Sequence, residues 1–424
     1  MSIGKQFMSA VLADGNIATF LQYGNIGHLF KANETTAYEF ILAFMKEYGA
    51  LPAPETIEAH TDEKLVKHKE VSKYYLDLME ARHIEIELKK GMQKASDFLS
   101  VENKDPEEAL RQITDLAMKL MATRHARQIV DFRVAYELII ADYAAKWVAG
   151  DSYGLQFGWP TLDRMTGGLV KGDVISFVGR PAAGKTWMML KAAFHGWRKA
   201  ALANDPTHSQ SRLFVSMEMS VLAIQQRLAA MQAQIPMSHL DHALLGTVSM
   251  KKLKKGLMEV KGYGAPFYVV DGNLTSTVDD VYMMALQLKP AAVFIDGAYL
   301  LQNANERDIY KRVATNCNAI KSTIAKMVPT VASWQFAKTA AKKNKKTGEE
   351  VTMEDIAYSD GIAQNSSLVL GLFEEDSVET LKQRRVKVLK GRKGETGDFA
   401  TSWDFNTMNF SELVPTPVDD LHFV

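Results

Sequence analysis

The sequence contains one cysteine, Cys317, and no excess of charge of either sign, since 50 Lys and Arg residues balance 50 Asp and Glu residues. One cysteine excludes an intrachain disulfide framework and any zinc ribbon or cysteine-rich finger. It is typical of a protein that works in a reducing, cytosolic setting. A formal net charge of zero excludes a broadly basic coat for nucleic acid, but it is compatible with a local basic stripe.

Long apolar runs are also missing. No uninterrupted stretch approaches the roughly 18 residues that a membrane-spanning helix requires, so we expect neither a transmembrane helix nor a membrane partner. Asp14 interrupts the mildly apolar start of the chain, which therefore lacks the pattern of a signal peptide. At roughly 150 residues per domain, the 424 residues predict two to three domains.

The first part of the chain, residues 1–125, is predicted to form an all-α N-terminal domain that serves oligomerisation or partner docking. Apolar residues recur there at helical spacing, and glycine is sparse. Residues 51–54 read Leu-Pro-Ala-Pro and predict a loop. Asp105 is placed to cap a helix that has Pro106 at its first position.

A linker is predicted over residues 126–152, with a helix that ends at Gly150. Ile139, Tyr143 and Trp147 recur at helical spacing and form an apolar stripe on that helix. Such a stripe must be buried, either within its own chain or against a neighbouring subunit. The sequence leaves both alternatives open.

From residue 153 onward, short apolar runs alternate with helical stretches, which predicts βαβ units and a mostly parallel, twisted α/β sheet over residues 153–412. The predicted strands of this sheet are 174–178, 213–216, 267–270, 292–296, 330–333 and 368–372. Two later strands, 385–390 and 399–405, flank a glycine-rich turn and predict a hairpin. Residues 413–424 are predicted to form an acidic C-terminal tail.

Residues 179–186 read Gly-Arg-Pro-Ala-Ala-Gly-Lys-Thr, the pattern of a phosphate-binding loop, between a predicted strand and a predicted helix. The glycines let backbone N–H groups turn towards phosphate oxygens, and the helix N-terminus adds partial positive charge. Lys185 is expected to reach the β- and γ-phosphates of ATP, and the Thr186 hydroxyl to bind Mg²⁺. The nucleotide-binding candidates are Gly179, Arg180, Pro181, Ala182, Ala183, Gly184, Lys185, Thr186 and Trp187.

Three polar residues stand at the ends of predicted strands. Glu218 is placed to orient and deprotonate the water that attacks the γ-phosphate, unless it is a solvated carboxylate that opens the next helix. Asp296 ends an apolar strand, the usual position of a carboxylate in the Mg²⁺ shell, and Gln335 ends another, where it could sense the γ-phosphate. Asp296 could instead cap a turn, and Gln335 could be an ordinary strand end.

The order of these motifs resembles the RecA-like motor of DnaB-family replicative DNA helicases. Matching segments are Leu-Asp-Arg-Met-Thr-Gly-Gly-Leu at 162–169, Lys-Gly-Asp at 171–173, Arg-Pro inside the phosphate-binding loop, and Ser-Met-Glu-Met at 216–219. The helical N-terminal region followed by a linker helix is similar too. The resemblance implies a RecA-like P-loop ATPase fold and an ATP- and Mg²⁺-dependent DNA helicase.

The resemblance also implies an assembly. The family forms hexameric rings around single-stranded DNA, with ATP between subunits and with a primase and a helicase loader as partners. It implies Glu218 as the catalytic base and Asp296 as the Mg²⁺-shell carboxylate. Lys390 and Arg392, in the late hairpin, would act in trans on the neighbouring subunit's γ-phosphate. A solvated basic hairpin is the alternative.

Several departures from the family pattern indicate a divergent member. Gly297 and Ala298 separate the strand-ending aspartate from the Tyr-Leu that usually follows it directly. Trp334 and Trp187 stand where small residues are common. The compact length and the divergence fit a virus-encoded helicase, which would act in the host cytoplasm.

Two basic segments are expected to face the DNA. The first, residues 303–312, contains Arg307, Lys311 and Arg312. The second follows Gln335 and lacks periodicity, which indicates a loop whose lysines would follow phosphates without reading bases. These lysines are Lys338, Lys342, Lys343, Lys345 and Lys346. A solubilising charge run on a surface loop is the alternative.

Two other functions stay open from the sequence. A RecA-like recombinase or recombination mediator would form filaments on DNA, and a P-loop ATPase of the circadian-clock or signalling type would not bind DNA. The large helical N-terminal region and the linker helix favour the helicase, because filament-forming recombinases usually rely on a short polymerisation segment.

Overall fold

The structure is a computed structural model of the chain. It describes residues 2–14, 26–61, 64–65, 69–100, 105–122, 132, 136–150, 153–202, 211–272, 276–304, 306–336, 359–374, 382–392 and 394–413. The chain divides into two compact units, Met1–Ile140 and Ala141–Val424. No helix among the described residues is both long enough and apolar enough to cross a membrane.

Helices are the only regular secondary structure among the described residues of the first unit, as predicted. Its helices are α1 (Ile3–Asp14), α2 (Ala32–Tyr48), α3 (Pro54–Thr61), α4 (Ser72–Leu99) and α5 (Pro106–Ala122). Helix α5 begins at Pro106, and the Glu107 amide donates to Asp105 Oδ1 at 3.0 Å, so the predicted cap is confirmed. The core of this unit contains the buried side chains of Phe7, Met8, Ile41, Ile57 and Met79.

A buried carboxylate ties three helices of this unit together. Glu34 on α2 is 1% exposed and accepts hydrogen bonds from Arg82 Nη2 on α4 and from the Gly4 amide on α1, at 3.0 and 3.2 Å. Burial raises the pKa of Glu34, but the hydrogen bonds from Arg82, the Lys31 amide and Ser2 outweigh it and lower the pKa to about 2. Glu34 is therefore charged and fully paired at neutral pH.

Helix α6 (Tyr136–Ala149) carries the boundary between the two units and ends where the sequence predicts. Gly150 adopts a φ of 71°, and its amide donates to Lys146 O at 3.1 Å, which is a glycine stop. Tyr143 and Trp147 on this helix are 62% and 76% exposed, so the described part of the chain does not bury the stripe. Most of the predicted linker before residue 136 lies outside the described residues.

The second unit is built on one sheet of eight strands. The strands are β1 (Val174–Gly179), β2 (Arg212–Ser216), β3 (Phe267–Asp271), β4 (Ala292–Asp296), β5 (Thr330–Gln335), β6 (Leu368–Phe373), β7 (Gln383–Gly391) and β8 (Gly397–Ser402). Their order is β3-β2-β4-β5-β1-β6-β7-β8, parallel up to β6 and antiparallel after it. The predicted fold class and the late hairpin are confirmed.

The last strand is shorter than predicted. We expected it to reach residue 405, but β8 ends at Ser402. Asp404 accepts hydrogen bonds from the Asn406 amide at 2.8 Å and the Thr407 hydroxyl at 2.7 Å, and these bonds turn the chain.

Helices cover the sheet. They are α7 (Pro160–Thr166), α8 (Lys185–Leu202), α9 (Val221–Ala233), α10 (Met237–Asp241), α11 (Thr247–Lys261), α12 (Val278–Leu288), α13 (Ile309–Ser322), α14 (Ile324–Met327) and α15 (Ser359–Asn365). All residues of β1, β2 and β4 are buried, which explains why these strands are mostly apolar and do not alternate between apolar and polar residues.

Trp334 shows how the core accommodates an unusual residue. It is 1% exposed on β5, and its indole Nε1 donates to Ser176 Oγ on β1 at 2.9 Å. Ser176 Oγ in turn lies 2.7 Å from Ser366 Oγ. The large ring is therefore tolerated because its one polar atom finds a buried hydrogen-bond partner.

The strand order creates a crevice at the carboxyl ends of the parallel strands. The chain passes from β1 to β2, which lies on the far side of β5 and β4. Ligands of open α/β sheets bind outside the carboxyl ends of strands at such a reversal. The ends of β1, β2, β4 and β5 are where the sequence places its candidate residues.

Candidate nucleotide site

The phosphate-binding loop connects β1 to α8, as predicted. Gly184 has a φ of 99°, and a Cβ there would lie 2.2 Å from Trp403 Cη2, so only glycine fits. Ala182 also has a positive φ, 64°. This backbone conformation is the kind that turns N–H groups towards an anion at the helix N-terminus.

Lys185 is the first residue of α8 and is 8% exposed. Its Nζ donates to the carbonyls of Gly179 at 3.1 Å and Arg180 at 3.0 Å, which holds the amine against the loop. Burial lowers the pKa of Lys185, and the negative charges of Glu218 and Asp296 oppose that shift. The loop therefore presents a partly desolvated cation, which binds phosphate more strongly than a solvated one.

Thr186 and Asp296 meet beside the loop. Thr186 Oγ1 donates to Asp296 Oδ2 at 2.7 Å, and Ser333 Oγ on β5 donates to Asp296 Oδ1 at 2.8 Å. Asp296 is 2% exposed, and its burial raises the pKa of the carboxyl. Each of the two hydrogen bonds lowers the pKa, but by less than burial raises it. Asp296 is thus not a turn cap, because both oxygens are used inside the site.

These oxygens fit Mg²⁺. A threonine hydroxyl and a carboxylate are the hard ligands this ion prefers, and it usually takes its remaining positions from water and substrate phosphates. Among the described residues no group of three or more His, Cys, Asp and Glu could hold a metal alone. The donor set is therefore that of an ion bound together with a nucleotide.

Glu218 lies two residues beyond β2 and is exposed. It does not open the next helix, because Ser220 is the N-cap of α9 and its Oγ accepts from the Ala223 amide at 3.4 Å. Instead, Glu218 Oε1 accepts a hydrogen bond from the Tyr299 hydroxyl. The carboxylate is therefore held at the crevice while it stays open to water.

Tyr299 also joins Gln335, the last residue of β5. Gln335 Nε2 donates to the Tyr299 hydroxyl, so one oxygen bridges the sensor candidate and the base candidate. Burial and the adjacent Glu218 carboxylate raise the pKa of Tyr299. Sequence reasoning missed Tyr299, although the two inserted residues Gly297 and Ala298 were the signal that could have found it.

Trp187 lies behind the loop. Its ring is 9% exposed, stacks on Phe410 at 5.6 Å between centroids and has the Arg227 guanidinium over it at 4.3 Å. Trp187 belongs to the hydrophobic core of the unit. Its nucleotide contact stays a prediction.

Lys390 and Arg392 lie at the opposite end of the sheet from the loop. Arg392 Nη1 lies 3.1 Å from Asp173 Oδ1, directly before β1, whereas the loop follows the other end of that strand. A six-residue strand spans about 20 Å at roughly 3.3 Å per residue. The two cations therefore do not serve the nucleotide site of their own chain.

The two cations also differ from one another. Lys390 Nζ donates to Ala363 O at 2.5 Å and to Ser366 O at 2.8 Å, so its amine is used within the chain. The Arg392 side chain is 68% exposed beyond the end of β7. Arg392 is thus the more available of the two for a neighbouring molecule.

The structure describes part of the DNA-binding candidates. Arg307 and Lys311 are exposed, and Lys311 lies in the first turn of α13. Arg312 is half-buried, and its Nη1 donates to Gln302 Oε1 at 3.1 Å. The predicted lysines of the second segment lie outside the described residues: Lys338, Lys342, Lys343, Lys345 and Lys346.

Comparison with known proteins shows which family the chain resembles. Residues 154–412 match the family model described as the DnaB-like helicase C-terminal domain. The chain is 27% identical to the replicative DNA helicase DnaB of Treponema pallidum over 300 residues, covering 69% of the chain and 63% of that relative. It is 23% identical to DnaB of Leifsonia xyli subsp. xyli over 411 residues, covering 93% and 86%.

Two solved structures share the fold. One, described as a DnaB-like replicative helicase and its interactions with primase, has a TM-score of 0.63 at 17% identity and covers 97% of this chain and 99% of its own. The other, described as an ATPase domain, has a TM-score of 0.58 at 20% identity and covers 67% of this chain and 100% of its own. The fold of this chain is therefore that of these proteins.

Proposed function

Because the chain belongs to the family of DnaB-like helicases through its C-terminal domain, we propose that it is an ATP-driven replicative DNA helicase. In this proposal it forms a ring, a hexamer, that moves along single-stranded DNA and unwinds the duplex. One observation carries it: Lys185, Thr186, Asp296 and Glu218 converge on the crevice at the carboxyl ends of β1, β2 and β4.

The chemistry follows from these positions. Lys185 provides the charge that opposes the β- and γ-phosphates, and the loop amides hold them. Thr186 and Asp296 would hold Mg²⁺, which neutralises charge that develops on the phosphate oxygens. Glu218 orients a water and accepts its proton as that water attacks the γ-phosphate. Gln335 senses whether the γ-phosphate is present.

The assembly and partners belong to the same proposal. The exposed Tyr143 and Trp147 on α6 supply an apolar face for a neighbouring subunit, and the exposed Arg392 supplies a cation for its nucleotide. Single-stranded DNA is the polymer bound in the ring. A primase and a helicase loader are proposed partners, and the cytoplasm is the proposed site of action. No specific observation on the described residues favours a filament-forming recombinase.

Unwinding of a forked duplex tests the proposal. With ATP and Mg²⁺ the protein should release the displaced strand, and it should release none without ATP or when Lys185 is replaced by Ala. ATP hydrolysis without strand displacement would favour a P-loop ATPase that does not act on DNA. Filaments on single-stranded DNA in electron micrographs, in place of rings, would favour the recombinase.

Replacing Lys342, Lys343, Lys345 and Lys346 with Ala should weaken binding to single-stranded DNA for every base sequence alike. The slope of log affinity against log salt should flatten by roughly 0.7 for each phosphate that these lysines no longer neutralise. Fluorescence anisotropy of labelled oligonucleotides over a salt series measures both effects.

The chain contains a matched control for these lysines. Helix α11 carries four exposed lysines at the same spacing: Lys251, Lys252, Lys254 and Lys255. Their replacement removes the same charge and should leave the slope unchanged. An unaltered slope in the first variant, or an equally flattened slope in the control, would mean that the second basic segment does not bind DNA phosphates. The segment would then be a solubilising charge run.

A further inference from the structure

The Tyr299 hydroxyl is hydrogen-bonded both to Gln335, the proposed sensor, and to Glu218, the proposed base. We propose that Tyr299 is a positioning residue that couples Gln335 to Glu218, so that the position of the β5 end controls where the catalytic carboxylate points. This inference rests on the proposed function and deepens it. It adds a residue that neither the motifs nor the family resemblance assigned.

The backbone around Tyr299 is tied to both partners. Gly297 adopts a φ of 82°, and its amide donates to Ser333 Oγ on β5 at 2.7 Å. A Cβ on Gly297 would lie 3.3 Å from Glu218 Cγ, so a larger residue would crowd the carboxylate. Ala298 is fully buried. The short helical turn 298–300 therefore lies against the ends of β2 and β5 together.

The chemistry of a phenol suits this position. A tyrosine hydroxyl donates one hydrogen bond and accepts others, so it can donate to the Glu218 carboxylate while it accepts from the Gln335 amide. The same burial and negative charge that raise the pKa of Tyr299 keep the hydroxyl protonated at neutral pH. It is thus a permanent donor to the carboxylate.

The location of Gln335 indicates that movement of the β5 end would act on Glu218 through Tyr299. Gln335 is the last residue of β5, and the chain leads from it into the proposed DNA-binding segment. A displacement of this strand end alters the bond to Tyr299, and through it the orientation of Glu218. Tyr299 forms no described bond to Lys185, Thr186 or Asp296. It should therefore affect the rate of hydrolysis and not the binding of ATP.

The test is Tyr299→Phe, which keeps the ring and removes the hydroxyl. The KM for ATP should stay within about two-fold of wild type. The increase in ATPase kcat caused by single-stranded DNA should fall below about two-fold. Tyr263→Phe is the matched control: its hydroxyl accepts from Gln232 Nε2 at 3.3 Å, and removing it should leave both quantities unchanged.

A double-mutant cycle measures the coupling without DNA. If Tyr299 links Gln335 to Glu218, the decrease in kcat caused by Gln335→Ala should be much smaller in the Tyr299→Phe background than in wild type. Equal decreases in both backgrounds would overturn the inference, as would a raised KM with an unchanged kcat. If the protein does not unwind the forked duplex, the helicase proposal fails, whereas the cycle still decides the role of Tyr299.

Discussion

Glu218→Gln should bind ATP with wild-type affinity and lose kcat for its hydrolysis by about 10²–10⁴-fold, since a carboxamide cannot accept the proton of the attacking water. The substitution keeps the shape of the side chain, and its carbonyl oxygen can still accept from Tyr299. Nucleotide binding and ATPase rate, measured on the same preparation, separate a loss of chemistry from a loss of the site.

The neighbouring strand offers the control for this experiment. Asp271 ends β3, in register with Ser216 at the end of β2, and is exposed at the same edge of the sheet. Asp271→Asn removes the same negative charge a short distance away and should hydrolyse ATP at the wild-type rate. A Glu218→Gln protein that hydrolyses ATP normally would mean that another group is the base.

Arg392→Ala should assemble and bind ATP, yet lose hydrolysis by about 10³-fold or more, as P-loop enzymes do when an arginine finger is removed. The reason lies in its position. Arg392 lies beyond the end of β7, next to Asp173. This is the end of the strands opposite to the phosphate-binding loop. An exposed guanidinium there lies too far from the phosphate-binding loop of its own chain, so in the proposed ring it would act on the nucleotide of another subunit.

Mixing Arg392→Ala with Lys185→Ala protein tests the trans role directly. In the proposed ring, a mixture of the two variants contains interfaces that pair an intact loop with an intact arginine, although neither variant alone does. ATPase activity should therefore recover in part, whereas unwinding can require every subunit. If subunits exchange and no mixing ratio restores hydrolysis, the trans role loses its main support.

The ion pair with Asp173 needs its own control. Asp173→Asn breaks the ion pair between Asp173 Oδ1 and Arg392 Nη1 but leaves the arginine in place. Its ATPase should stay close to wild type. A defect as large as that of Arg392→Ala would show that the arginine acts through the pair in its own chain.

The sequence predicted the sheet because each strand is recognisable from its own residues. Buried parallel strands are short apolar runs between helical stretches, and the phosphate-binding loop is one contiguous pattern. The strand β1 and the helix α8 therefore appear where they were expected. The end of β8 was misjudged, because the bonds that Asp404 forms with Asn406 and Thr407 outweigh the apolar alternation there.

The positions of the candidate residues could be predicted one by one, but the hydrogen bonds that connect them could not. Lys185, Asp296 and Gln335 are recognisable one at a time, from a motif or a strand end. The bridge of Tyr299 depends on how three strand ends align. The inserted Gly297 and Ala298 mark the place in the sequence, but they do not predict which side chains Tyr299 contacts. The same holds for Lys390, whose bonds to Ala363 O and Ser366 O join segments that are distant in sequence.

The close approach of Gly184 and Trp403 gives the protein an optical probe of its own. The indole lies where a Cβ on Gly184 would be, so its environment changes with any movement of the phosphate-binding loop. Trp187, one residue after Thr186, is a second fluorophore in the same place, and the chain has six tryptophans in all. Intrinsic emission should therefore follow nucleotide association in real time, with no dye attached, and the difference between the wild-type and Trp403→Phe proteins isolates the contribution of Trp403.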